Sequence, residues 1–245
     1  MVRELVLPEV LPEATRCAPE VRLARAVYRE LFGHSWSEPN PDQNAQKRRK
    51  LAPFYSVLEA ARAEVVADIL LQEPKTVSAG LLPDASCLHV APHLVAMDLL
   101  ASLRFTVEGE VPQDDQARAN ALVQSWQIER GALELVARGG RHHARVVDAR
   151  RWQQGLIDLL ALLFEIERNG DRGTIEKLVE HHAMRIDPRL RDEVLARLER
   201  VGVPWRIAIL PPTLEPVRDA TGAMVDAKAR PARNVDDLIG AYRHR

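Results

Sequence analysis

A mostly α-helical domain with minor β elements is what this sequence predicts, and three observations carry that expectation. Alanine, leucine, glutamate and arginine dominate while glycine numbers only 12 of 245 residues, a composition that favours helix. Apolar positions recur at three-and-four spacing, most clearly at Phe54, Val57, Leu58, Ala61, Val65 and Ile69. Helix start signals precede several such runs, among them Asp171 and the pair Asp187-Pro188.

The elements follow in order. A first helix is expected after Pro19, running to about Phe32 before Gly33, then a polar loop with Pro39 and Pro41. The basic run Gln46–Lys50 belongs to this polar stretch and reads as a solvated loop. A second helix starts near Pro53, and further helices are expected at about 86–105, 114–132, 149–168, 172–183 and 188–200. Arg138-Gly139-Gly140-Arg141 marks the turn of a small β-hairpin between Leu133–Ala137 and Ala144–Val147. Beyond Pro204, Arg206–Leu210 reads as a strand, Thr221-Gly222 as a turn, and Asn234 as the start of a short last helix.

A length of 245 residues suits one domain, or one with a small appendage. The expected division is an N-terminal extension over 1–18, a helical lobe over 19–217, and a C-terminal hairpin and short helix over 218–245. Charged residues make up 28% and cancel to a net charge of −1, which leaves no overall electrostatic footprint for nucleic acid or an anionic membrane. Cys17 and Cys87 form no CxxC, and a chain of this size needs no disulfide staple, so a reduced, cytoplasmic setting is expected. No run reads as a signal peptide or as a membrane span. The chain contains no phosphate loop, GxGxxG or GxSxG, and no cofactor is expected.

The chemistry concentrates in two stretches, "RELFGH" at 29–34 and "FYSVLEAARAEVVA" at 54–67. Glu30 and His34 are four apart and share a helix face. Glu59, Arg62, Glu64 and Asp68 are ionisable groups on an otherwise apolar helix, and they read on spacing alone as its wet face, Glu64 and Asp68 repelling and Glu59 and Arg62 pairing weakly.

Taken together, the two stretches resemble the dipeptidyl peptidase III family of zinc peptidases, which carries HELLGH or HELGHG on one helix and EECRAE-like text on the next. The similarity continues through "DDQARANALVQSWQIERGAL" (114–133), "NGDRGTIEKLVEHHAM" (169–184) and "LRDEVLARLERVGVPWRIAILPPTLEPV" (190–217), so it extends over about residues 20–217. The resemblance implies the helical catalytic lobe of that family, without the second lobe that forms the other wall of the peptide cleft. It also implies what has changed. The family's first zinc-binding histidine corresponds to Arg29 and its zinc-binding glutamate to Ala60, leaving His34 alone of three ligands. Its catalytic glutamate corresponds to Glu30, and the first glutamate of its second motif to Glu59. A histidine that assists the reaction corresponds to Gln116, while Arg118 and Asn120 match.

Catalytic zinc is held by at least three protein ligands, so no metal is expected here. Arg29 is expected to supply the lost positive charge and to bridge the two helices through Glu59 or Glu64. Positions 29 and 34 are five apart, off-register in a regular helix. The family aims both inward with a bulge that, without metal, is expected to relax.

Three functions stay open. One is a metal-independent enzyme doing acid/base chemistry (isomerisation, cyclisation, elimination or hydrolysis) on a small molecule, with Glu30, His34 and Glu59 catalytic and Arg29, Arg62, Glu64, Gln116, Arg118 and Asn120 binding substrate. Another is an inactive, peptidase-like binding or regulatory subunit. The third is a zinc peptidase with shifted ligands drawn from His34, Glu59 or Glu64. Self-association, or pairing with a separate second lobe, would cover the former cleft face. His89 and His93 are a further metal candidate, with Pro92 expected in a first helical turn. His142 and His143 are expected at the surface, and His181 and His182 at a helix C-terminus where positive character suits the dipole.

Overall fold

The computed structural model describes residues 1–34, 41–106, 112, 114–184, 186–203 and 213–230. The chain divides into two compact units, Met1–Pro204 and Trp205–Arg245. The first unit is helical. It runs α1 (Val2–Leu5), a 3₁₀ turn (Pro8–Val10), α2 (Leu11–Tyr28), a π turn (Arg29–Gly33), α3 (Pro41–Leu51), α4 (Tyr55–Leu71), α5 (Lys75–Ser78) and α6 (Ala85–Ala101). A 3₁₀ turn (Ser102–Phe105), α7 (Asp115–Glu129), the strands β1 (Leu133–Arg138) and β2 (Arg141–Val146), α8 (Ala149–Asn169), α9 (Arg172–His182) and α10 (Pro188–Arg200) complete it. β1 and β2 pair antiparallel, Leu133 opposite Val146. The described part of the second unit is one antiparallel hairpin, β3 (Thr213–Arg218) with β4 (Met224–Arg230), turning at Asp219–Ala223 with Gly222 at a φ of 85°. The strand expected at 206–210 and the helix expected from Asn234 lie outside the described residues.

α4 and α6 form the centre of the first unit. Both bury residues on all sides, Val57, Leu58, Ala63, Val65 and Leu71 on one, Val90, Leu94, Met97 and Leu100 on the other. Helices apolar all round belong in an interior. α8 buries a single stripe, Trp152, Leu156, Leu159, Leu163 and Ile166, and faces water elsewhere. α6 with its following turn, Ala85–Phe105, is long and apolar enough to cross a membrane by length and composition, contrary to expectation. It is the core helix, with 72% of that window buried inside the fold.

Aspartates start the helices. The side chains of Asp84, Asp114, Asp148, Asp171 and Asp187 each accept a backbone N–H from the first turn of α6, α7, α8, α9 and α10. Gly170, left-handed at φ 64°, ends α8 and turns the chain into α9.

Several expectations need correction. Residues 1–18 are no extension. Leu5, Ala14 and Cys17 are fully buried, and α2 begins at Leu11, so Pro19 lies inside it. The division falls at 204, ahead of the expected 217. The basic run is helical, within α3; Arg48, Arg49 and Lys50 sit on exposed positions and Lys47 on a half-buried one, which a helix tolerates as readily as a loop does. Pro92 lies inside α6, past its first turn. Cys17 of α2 and Cys87 of α6 are joined in a disulfide, their Cα atoms 5.3 Å apart across 70 residues of sequence. That pairing, invisible in cysteine spacing, removes the thiol-based ground for a reduced setting.

Candidate functional site

The π turn persists. The His34 N–H donates to the Arg29 carbonyl at 2.9 Å, a bond spanning five residues, and the reason lies in packing. Gly33 sits directly on α4. A Cβ built there would lie 2.7 Å from the Ala63 carbonyl oxygen and 2.9 Å from the Ala63 Cβ. The expected relaxation does not occur, because the bulge is seated on α4 through two small residues.

Arg29 points inward. Its Nε lies 2.8 Å from Glu64 Oε1, and its Nη2 donates to Gln116 Oε1 at 2.8 Å. Gln116 in turn donates through Nε2 to Glu64 Oε1 at 2.8 Å and to Asn120 Oδ1 at 3.2 Å. The bridge runs to Glu64, which is 4% exposed, and not to Glu59. One turn earlier, Arg25 lies 2.8 Å from Glu64 Oε2 and donates to Asp68 at 2.6 Å. Burial works against the Arg25 charge, but Asp68 and then Glu64 carry its pKa above the ordinary arginine value. Arg25 and Arg29, four apart on α2 and its π turn, thus face Glu64 and Asp68, four apart on α4. The expected repulsion between those two carboxylates is offset by a guanidinium on each.

The other candidate residues divide into three places. His34 Nδ1 stands 3.5 Å from Glu59 Oε1, both about one-third exposed. Glu30 is 63% exposed and lies 3.3 Å from the outer Nη1 of Arg29. Arg62, 2% exposed, crosses the core to Glu167 of α8 at 2.8 Å, away from Glu59. Arg118 turns back to the Pro112 carbonyl at 2.9 Å and to Asp115. Residues 29, 64, 116 and 120 therefore come together, whereas Glu30, His34 and Glu59 stand outside that group and Arg62 and Arg118 serve local structure. A cleft of about 230 Å³ opens beside Arg29, lined among others by Arg25, Glu64, Asp98, Arg104 and Asn120. Glu30, His34 and Glu59 do not line it. Sequence reasoning missed Arg25, Asp98 and Arg104; the four-residue repeat of Arg25 and Arg29 was the signal for the first.

Zinc does not fit this donor set. A guanidinium offers no lone pair and Ala60 no ligand atom, and Glu64, which might have substituted, is held by two arginines. Of the histidines, His93 is largely buried on α6, and burial lowers its pKa. His143 is buried, contrary to expectation, and His142 is half-exposed against Glu193. His182 is buried too, 5% exposed, beside Trp126.

No family model matches the chain. No curated protein matches it in sequence. Solved structures do match in fold. Dipeptidyl-peptidase III from Caldithrix abyssi superposes with a TM-score of 0.64 at 18% identity, over 82% of this chain and 36% of that one. Dipeptidyl-peptidase III from Corallococcus sp. strain EGB gives 0.52 at 23% identity, over 64% of this chain and 27% of that one. The chain has the fold of part of these enzymes and spans about a third of their length.

Proposed function

We propose that this chain is a metal-free binding lobe on a dipeptidyl-peptidase III-like fold, with an arginine in the place where the enzymes' motif has a zinc ligand. The observation that carries the reading is Arg29 turned inward on Glu64 and Gln116, with the acid/base residues left outside the adjoining cleft. The cleft offers guanidinium groups of Arg29 and Arg104 and the amide of Asn120 to a small molecule with an anionic or carbonyl group. Ligand-observed NMR with a panel of small carboxylates and dipeptides tests it. Binding is expected, and is expected to weaken at least tenfold in Asn120→Ala; a panel without a binder sinks the reading.

A second reading is metal-independent acid/base chemistry by Glu30 with His34 and Glu59, and the 3.5 Å approach of His34 to Glu59 favours it. Conversion of a bound panel member, abolished in Glu30→Gln with binding intact, would establish it in place of the first. For a zinc peptidase with shifted ligands the support is thinner: among the described residues, no group of three lone-pair donors gathers at the π turn. Metal analysis of His34→Ala decides this point. Zinc lost with His34 would overturn the metal-free assignment. The part played by a second copy or a separate lobe in covering the cleft face belongs to the same proposal.

A further inference from the structure

The far end of α7 gathers a different set of groups. Glu129 is the last residue of α7, and His181 and His182 are the last two of α9. Glu129 Oε2 lies 3.0 Å from His181 Nε2 and 3.8 Å from His182 Nε2, and all three donor atoms fall within 4.8 Å of one another. A tetrahedral ion with ligand bonds of about 2.0–2.1 Å sets its donors about 3.3 Å apart, between those two distances. Among the described residues no other three donors are so placed.

The surroundings are those of a ligand sphere. His182 is 5% exposed, and its Nδ1 shares a hydrogen bond with Ser125 Oγ at 3.0 Å. Its ring is further fixed edge-on against Trp126, with centroids 5.5 Å apart. A hydroxyl can accept from Nδ1–H, the tautomer that leaves the other ring nitrogen its lone pair, and its hold on Nδ1 turns that other nitrogen away from Ser125, as the outer partner of a metal-binding histidine does. Here the outward nitrogen is the one that faces Glu129. The C-termini of α7 and α9 both end at the group, and their partial negative charge favours a cation. The nearby cation, Arg130, is occupied elsewhere, lying over the Trp126 ring at 4.2 Å and pairing with Asp158 at 2.7 Å.

We propose that Glu129, His181 and His182 form a site for a divalent transition cation of the zinc class, which staples the end of α7 to the end of α9. Two imidazoles and one carboxylate suit zinc, and the exposure of Glu129 and His181 leaves the fourth position to water or an incoming ligand. The site is independent of the cleft beside Arg29. Gln116 and Glu129 lie at opposite ends of α7, about 20 Å of helix apart.

The test is titration of the full chain, freed of metal by chelation, with Zn²⁺ by calorimetry and with Co²⁺ by absorption. One equivalent of Zn²⁺ is expected, with the intense visible bands of tetrahedral Co²⁺. His181→Ala and Glu129→Gln change exposed side chains, and each should weaken Zn²⁺ at least tenfold. His34→Ala should leave the binding unchanged. Absence of stoichiometric binding, or equal affinity in His181→Ala and Glu129→Gln, overturns the proposal. Zinc lost in His34→Ala alone would instead overturn the metal-free assignment of the π turn, so the two failures are distinguishable.

Discussion

The two ends of α7 present the same problem with opposite solutions. In its first turn Gln116 joins a carboxylate, Glu64, that is paired with two arginines, Arg25 of α2 and Arg29 of the π turn. At its last residue Glu129 meets two imidazoles, both able to give a lone pair to a cation. The first end packs against a stretch that resembles a metal motif in sequence, where a carboxylate is paired with arginines; the second carries no recognisable motif and brings three donors together. Likeness to a motif is a matter of residue order, whereas coordination is a matter of which lone pairs converge.

The contrast can be broken most forcefully at Glu64. Glu64→Ala should cost on the order of 3 kcal/mol, because it leaves the guanidiniums of Arg25 and Arg29 facing each other at a largely buried position. Urea unfolding measures this, and a loss below about 1 kcal/mol would show that the arginine–carboxylate cluster is peripheral. At the π turn, Gly33→Ala should cost about 1–3 kcal/mol by pressing a methyl against the Ala63 backbone. Its signature is a shift of the His34 ring resonances as the turn lifts from α4. At the other end of α7, metal-free His181→Ala should change stability by less than about 0.5 kcal/mol, because the imidazole is 66% exposed. A larger loss would mean that His181 works in the fold rather than for a cation.

The smallest effect is one of pH. Arg16, then Ser86 and the Cys87 N–H, hold the Asp84 carboxyl below the usual carboxylate range. A folded pKa below the unfolded one adds stability above about pH 4 that is lost as pH falls through the folded value. Asp84→Asn should therefore flatten the acid limb of the stability curve and leave its slope near neutrality unaltered. An unchanged acid limb would rule out this cap as a contributor.

Much of the fold was legible because its determinants are local. Five helices begin at aspartates whose caps lie within three residues, and α8 announces itself by one apolar stripe. Where the reading failed, the competing physics was not local. Pro19 and Pro92 suggest helix starts, yet lie inside α2 and α6, whose packing outweighs one missing backbone bond each. The Cys17–Cys87 bond needs two helices brought together across 70 residues. At the site, Arg29 pointing inward follows from its charge, but its choice of Glu64 over Glu59 depends on the phase of the π turn against α4. Glu129 and the two final histidines of α9 are 52 and 53 residues apart, and nothing in either stretch names the other.

Gly33 resting on Ala63 has a consequence beyond this molecule. The bulge is held by backbone lying on backbone, so its shape does not depend on which side chains stand at positions 29 and 34. Chains that share the turn but not those side chains would escape any search keyed to histidines and glutamates. A search for a five-residue turn closing on a small residue of the next helix would still find them.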